Sequence, residues 1–177
     1  MAFEQIWAPW RLGYIVGDKD LPALDDPASL LPGADPHCFL CQCAADKADR
    51  ARLTVYRGEH SIAVLNRYPY NNGHLLVAPK RHWGRLDEMS AESQLETTQT
   101  IARMVRLLEK TISPEGFNIG VNLGRVAGAG LPGHLHWHIV PRWNGDTNFM
   151  SSVAGVNVIP QSLDALWELL TTELARK

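Results

Sequence analysis

The sequence predicts an α+β fold, an antiparallel sheet of roughly five strands with two helices segregated from it. Three observations carry that expectation. Five short apolar or alternating runs are separated by turn residues, a long central stretch repeats apolar residues at three- to four-residue spacing, and a second such stretch lies near the end. With 177 residues the chain has the length of one domain with a real core. We divide 1–177 into an N-terminal aromatic segment and proline-rich loop (1–37), a core (38–150) and a C-terminal helical region (151–177).

Taken in order, Trp7, Pro9, Trp10, Arg11 and Tyr14 are too aromatic for a disordered tail; Trp7, Trp10 and Tyr14 are expected to pack over a core or dimer edge rather than stack on a nucleobase. Residues 21–36 hold four prolines and no period, which reads as a mobile surface loop. Strands are expected at 53–56, at 61–65 (SIAVL), at 74–78 (HLLVA, stopped by Pro79), at 117–123 (FNIGVNL) and at 134–140, stopped by Pro141. Ser90 reads as the N-cap of a helix to about Thr111, with Leu95, Ala102, Val105, Leu108 and Ile112 on its buried face. Ser113 to Gly116 ends it. A last helix from about Ser162 to Ala175 carries the stripe Leu163, Leu166, Trp167, Leu170 and Leu174. A sheet this small could continue across a homodimer.

Composition is that of an ordinary globular protein, 45% hydrophobic and 20% charged. A net charge of -2 gives no global basic field for nucleic acid. No apolar run approaches the ~20 residues needed to span a membrane, and the first residues lack the basic-then-apolar plan of a signal peptide, so cytoplasm is the expected compartment. A phosphate ligand would need local donors rather than bulk charge.

The densest chemical signal is His134-Leu135-His136-Trp137-His138. On a strand, period two puts His134, His136 and His138 on one face and Leu135, Trp137 and Ile139 on the other. Three readings compete: a metal site, since His-x-His on a strand chelates; a polar sheet face that happens to use histidine; and catalysis by neutral imidazole, whose ordinary pKa of about 6.5 leaves a lone pair at neutral pH to attack phosphorus. Glycine-rich segments before the run, around Gly116 to Gly124 and Gly128 to Gly133, supply backbone N–H groups suited to anions, and Arg142 places a cation just past it.

Cys38, Cys41 and Cys43 are the only cysteines, an odd number within six positions, which in a reducing compartment favours metal ligation over disulfides. Cys38-x-x-Cys41 offers two of the four ligands structural zinc wants; His82 is a candidate third, and His37 or Cys43 are alternatives. The cysteines could otherwise be free thiols with no ligand role. A thioredoxin-like redox role is disfavoured because no helix of suitable pattern starts at Cys38.

With these motifs the chain resembles the histidine triad superfamily, whose signature His-φ-His-φ-His-φ-φ, with φ apolar, is matched by residues 134–140. Ala63 to Asn66, Pro69, Gly73-His74 and Val77 to Pro79 also fit, and the aromatic N-terminus with Pro141-Arg142-Trp143 resembles its diadenosine tetraphosphate phosphorylase branch. The resemblance implies a nucleotidyl hydrolase or transferase acting on dinucleoside polyphosphates through a nucleotidyl-histidine intermediate. His136 would be the nucleophile, His138 would contact phosphate and assist the leaving group, and His74 would be a supporting hydrogen-bond partner. Asn66 would hold the ribose, Asn122 the phosphates, and Ala129-Gly130-Leu131-Pro132 would form the phosphate loop. Many relatives carry Gln then Ser or Thr where this chain has Gly130-Leu131, which shifts recognition toward backbone N–H groups. The implied structural Zn2+ set is Cys38, Cys41, His82 and His134. Two other functions stay open from the residues alone: a catalytically silent nucleotide-binding module, and a metalloenzyme using all three histidines on one metal.

Overall fold

Five short aliphatic runs pair into one sheet in the order β1-β2-β3-β5-β4. The computed structural model describes residues 29–147 and 158–176. Trp7, Trp10, Tyr14, half of the proline-rich loop (21–28), and Asn148-Phe149 lie outside the described residues; the described half of that loop, 29–36, holds neither helix nor strand. The strands are β1 (Thr54–Arg57), β2 (Ser61–Leu65), β3 (Leu75–Pro79), β4 (Gly116–Val121) and β5 (Trp137–Arg142). Each neighbouring pair runs antiparallel.

Strands β2 and β3 are buried at every position, and the alternation of the pleat explains how. Ala63, Leu65, Leu75, Val77 and Ile139 form one core with Met104, Leu107, Leu108, Leu166 and Leu170 from two long helices. Ile62, Val64, Leu76 and Ala78 point the other way, onto Cys38, Leu40, Cys41, Cys43 and Ala44. Both faces are covered, so these strands read as unbroken apolar runs rather than as alternating ones.

Two short helices, α1 (Phe39–Ala45) and α2 (Asp49–Arg52), precede the sheet. The expectation that no helix begins at Cys38 is therefore corrected: Cys38 is the N-cap residue of α1. Seven residues are too few for a periodic signal, and the helix is held by burying Leu40, Cys41, Cys43 and Ala44 rather than by propensity.

The long helix α3 (Ala91–Ile112) starts where its cap predicts, with Ser90 Oγ accepting from the Ser93 N–H at 3.3 Å. Its buried face matches the predicted one only in part: Leu108 is buried and Val105 and Ile112 pack against the core, but Leu95 and Ala102 do not. Leu95 is 61% exposed and Ala102 is exposed, while Ser93, Thr97, Thr100, Met104, Leu107 and Leu108 are buried. The cause is a polar anchor. The turn between β1 and β2 leaves backbone N–H groups that need an acceptor. The Glu96 carboxylate takes the N–H groups of His60 (2.9 Å) and Ser61 (2.9 Å) and the Ser61 hydroxyl (2.8 Å), and Thr100 meets that same hydroxyl at 2.9 Å. Turning Glu96 inward turns Leu95, about 100° round the helix, outward.

The last helix, α4 (Leu163–Ala175), follows the sequence closely: Ser162 caps it, and Leu166 and Leu170 are buried. Trp167 Nε1 donates to the Thr54 carbonyl at 2.8 Å and so covers part of the β1 edge. β4 at the opposite edge is half to fully exposed. No helix among the described residues is long and apolar enough to cross a membrane.

Candidate active site

β5 begins at Trp137, three residues later than expected. Before it, the Leu135 N–H donates to the Trp83 carbonyl at 2.6 Å and the His134 N–H to Leu131 at 3.3 Å, so His134 to His136 cross from the glycine-rich loop and pair with β3 only from Trp137 onward. The strand then runs through Pro141 to Arg142. Proline is tolerated there because β3 pairing has ended at Ile139; the Pro141 carbonyl accepts from Asn71 Nδ2 at 3.1 Å, which places the missing N–H on that same unpaired side. The three histidines consequently do different things.

His134 is fully buried beside Cys38, Cys41 and His82, and the four donor atoms lie within 4.8 Å of one another. Its Nε2–H donates to the Pro79 carbonyl at 2.8 Å, so its Nδ1 lone pair faces Cys38 Sγ at 3.2 Å and Cys41 Sγ at 3.5 Å. His82 Nδ1 sits 3.3 Å from Cys41 Sγ. A Cβ on Gly133 would come within 3.2 Å of His82 Nε2, which explains a glycine at that point. Burial lowers the His134 pKa to about 4 and raises the Cys38 thiol to about 12. Two thiols and two imidazole lone pairs in a buried pocket are the donor set of a tetrahedral zinc ion, so this group can hold a metal. Cys43 and His37 stand outside it: Cys43 Sγ approaches the Arg52 carbonyl at 3.7 Å, and His37 is exposed. The raised Cys38 pKa is opposite to the activated thiolate of a redox Cys-x-x-Cys, even though a helix does follow.

His136 Nδ1–H donates to the His134 carbonyl at 2.8 Å. A carbonyl only accepts, so the neutral ring keeps its lone pair on Nε2. Burial lowers the pKa of His136 and favours this neutral form.

The opposite tautomer follows for His138. The Tyr70 N–H donates to His74 Nδ1 at 3.1 Å, and Asn66 Nδ2 lies 3.3 Å from the same nitrogen. A neutral His74 therefore carries its proton on Nε2 and donates to His138 Nδ1 at 2.9 Å. His138 in turn carries its proton on Nε2. The rings of His136 and His138 are 5.2 Å apart, one with a lone pair and the other with a donor. His74 is placed by a turn whose Gly73 has φ +76, and a Cβ there would meet Ile112 at 2.6 Å.

A cavity of about 240 Å³ opens in front of His136 and His138, lined also by Asn66, Arg67, Tyr68, Gly128 and Gly130. Asn66 Oδ1 accepts from the Tyr68 N–H at 3.0 Å, so its side chain is braced in a turn beside His74. Of the expected phosphate loop, Gly130 lines the cavity, Ala129 is buried, and Leu131 packs on the cysteine cluster. Pro132 is not on the cavity wall, and its carbonyl faces Gly84. Asn122 lies instead on a wider cleft of about 710 Å³ that also meets His138. Gly128, from the glycine-rich segment, also lines the cavity; sequence reasoning missed Tyr70, which stacks on His74 with centroids 4.8 Å apart, although the Pro69-to-Gly73 turn was a signal for it.

Comparison with known proteins bears on the family and the fold. Residues 48–145 match the HIT domain. An AP-4-A phosphorylase of Mycobacterium tuberculosis is 39% identical over 174 residues, 98% of this chain and 86% of that protein. A Zn-bound histidine triad family protein from Mycobacterium smegmatis superposes with a TM-score of 0.58 at 28% identity, covering 70% of this chain and 84% of that one. The diadenosine triphosphate hydrolase of Plasmodium falciparum, only 15% identical, shares the fold over 98% of this chain and 99% of its own, with a TM-score of 0.60. A domain match across more than half of the residues, and a relative this similar along almost the whole length, show that the chain belongs to the HIT (histidine triad) family.

Proposed function

We propose that this protein cleaves dinucleoside polyphosphates, with diadenosine tetraphosphate as the favoured substrate, through a covalent nucleotide on His136. The observation that carries the reading is the bond from His136 Nδ1–H to the His134 carbonyl, which leaves Nε2 as a nucleophile at the mouth of a cavity. The similarity to an AP-4-A phosphorylase supports the substrate.

One nucleoside monophosphate unit occupies the smaller cavity, with Asn66 beside the ribose and Gly128 to Gly130 beside the phosphate. The Nε2 lone pair attacks the α-phosphorus in line. A P–N bond forms, the bond to the bridging oxygen breaks, and the nucleoside polyphosphate leaves with the electron pair. Nε2–H of His138 donates a hydrogen bond to the oxygen where charge develops. No proton need transfer, because a terminal phosphate with a second pKa of about 6 departs as an anion.

The second step returns the pair to His136 when an oxygen nucleophile displaces it. Among the described residues lining the smaller cavity there is no carboxylate to deprotonate water. An already anionic phosphate needs no such base, which favours phosphorolysis over hydrolysis. Cys38, Cys41, His82 and His134 would hold zinc, which supplies a cross-link beneath the segment carrying His136. With His134 turned to the thiols, His136 and His138 stand outside that metal group. Exposed β4 is the edge through which the sheet would continue into a homodimer, and three unpaired thiols suit the reducing cytoplasm.

Product analysis tests the reading. Diadenosine tetraphosphate with inorganic phosphate should give ADP and ATP, and without phosphate AMP and ATP at a lower rate. Failure to release any nucleotide under either condition would refute it.

A further inference from the structure

We infer that the wide cleft on the far side of His138 receives the second nucleoside of the dinucleotide, the half that departs. This rests on the reading above and extends it to the leaving side. The smaller cavity, about 240 Å³, is below the ~300–1,000 Å³ usual for a drug-sized ligand and cannot enclose both halves. The cleft is about 710 Å³, and His138 belongs to both. A chain of phosphates bound across His138 Nε2–H therefore runs from one cavity into the other.

The register of β4 and β5 shapes the cleft floor. Gly120 pairs with His138, Asn118 with Val140, and Gly116 with Arg142, so these residues share a face. A Cβ on Gly120 would meet nothing within 4 Å, and its φ lies outside the left-handed region. The backbone does not require glycine there; what its absent side chain provides is room beside the His138 ring.

The chemistry of the wall suits an uncharged nucleoside. Arg142 donates through Nε to Asp146 at 2.6 Å, through Nη2 to Asp146 at 3.0 Å, and through Nη1 to Asn118 Oδ1 at 2.8 Å. Asn71 Nδ2 donates to Asp146 at 2.9 Å. The opposite charges cancel, so the wall does not compete for the phosphates. Because Asn118 Oδ1 accepts from Arg142, its amide hydrogens remain for a base edge or ribose hydroxyl. A second copy of the chain pairing along β4 would use the backbone of that edge rather than this face.

The test is Gly120→Leu, with Gly120→Ala and Asn118→Ala beside it. KM for diadenosine tetraphosphate is compared with the inhibition constant of AMP, which needs the smaller cavity alone. Gly120→Leu should raise KM about tenfold, equivalent to ~1.4 kcal/mol, and leave AMP inhibition within about twofold. Gly120→Ala should lie between Gly120→Leu and the unmodified protein, and Asn118→Ala should weaken the dinucleotide alone. Equal losses for AMP and dinucleotide, an unchanged KM, or a changed oligomeric state in sedimentation would overturn the inference while the catalytic reading stood. AMP that fails to compete with the unmodified enzyme would instead refute the nucleotide reading of the smaller cavity, and this inference with it.

Discussion

Replacing His74 with Phe removes the donor that sets the tautomer of His138 while roughly keeping ring volume. In the native site His74 Nε2 and His138 Nδ1 are 2.9 Å apart. A neutral hydrogen bond contributes about 1 kcal/mol net, so losing the tautomer bias alone costs only a few-fold. The ring also loses the partner that holds its angle, and a misplacement of ~1 Å can cost a reaction about 100-fold, so the total loss should lie at ~10–100-fold. We expect kcat to fall within that range with KM little changed. The Tyr70 N–H and Asn66 Nδ2 lose their acceptor as well, at about 1–3 kcal/mol of stability. For a chain of this size that is a fall in Tm of about 2–12 °C. His74→Gln, whose amide can accept from Tyr70 and donate to His138, should recover part of both. Steady-state release of ATP from diadenosine tetraphosphate and thermal unfolding of the same samples give the two numbers. A Phe variant with kcat within about twofold of the unmodified enzyme would refute the tautomer relay.

The metal and the pH dependence offer two further checks. The purified protein should carry about one zinc per chain by elemental analysis, and Cys38→Ser should lose it together with much of the fold's stability, since structural zinc contributes folding energy directly; a melting temperature indifferent to chelators would count against the site. The rate of the first ATP burst should be flat from pH 8 down to about 6.5 and fall only below it. The sign follows from burial, which lowers the pKa of His136 and keeps it neutral until the solution is more acidic than its ordinary value. The substrate has no terminal phosphate to confuse the acid limb, and a limb centred above 6.5 would contradict this. In the apo fold the same sign applies to His134, so its contribution to stability is present above pH 6.5 and is lost as pH falls toward about 4.

The strands and helices were legible where a local rule governed them. β2 matched SIAVL to the residue, and the Ser90 and Ser162 caps fell where hydroxyl and periodicity coincided. The face of α3 was legible only in part: Val105, Leu108 and Ile112 follow the apolar spacing, while N–H groups at His60 and Ser61 that need an acceptor hold Glu96 inward and leave Leu95 outward. Helix α1 was hidden by its brevity. At the site, His134, His136 and His138 and the Cys38-x-x-Cys41 spacing were visible, yet alternation implied three equivalent rings. The late start of β5 and the carbonyls of Pro79 and His134 make them different, and neither acceptor has a sequence signature. Tyr70 acts on His74 through its backbone N–H, which residue type does not reveal. Arg142 read as a lone cation, although Asp146, four residues on, neutralises it.

The central claim is that one imidazole bonds to phosphorus. Rapid quenching of the enzyme with diadenosine tetraphosphate labelled at the α-phosphorus, followed by peptide mapping, tests it most directly. Acid-labile label should be found on the peptide containing His136, at up to one equivalent per active chain, and should be absent from His136→Ala. Turnover with no label on the protein, or label on any other residue, would contradict it.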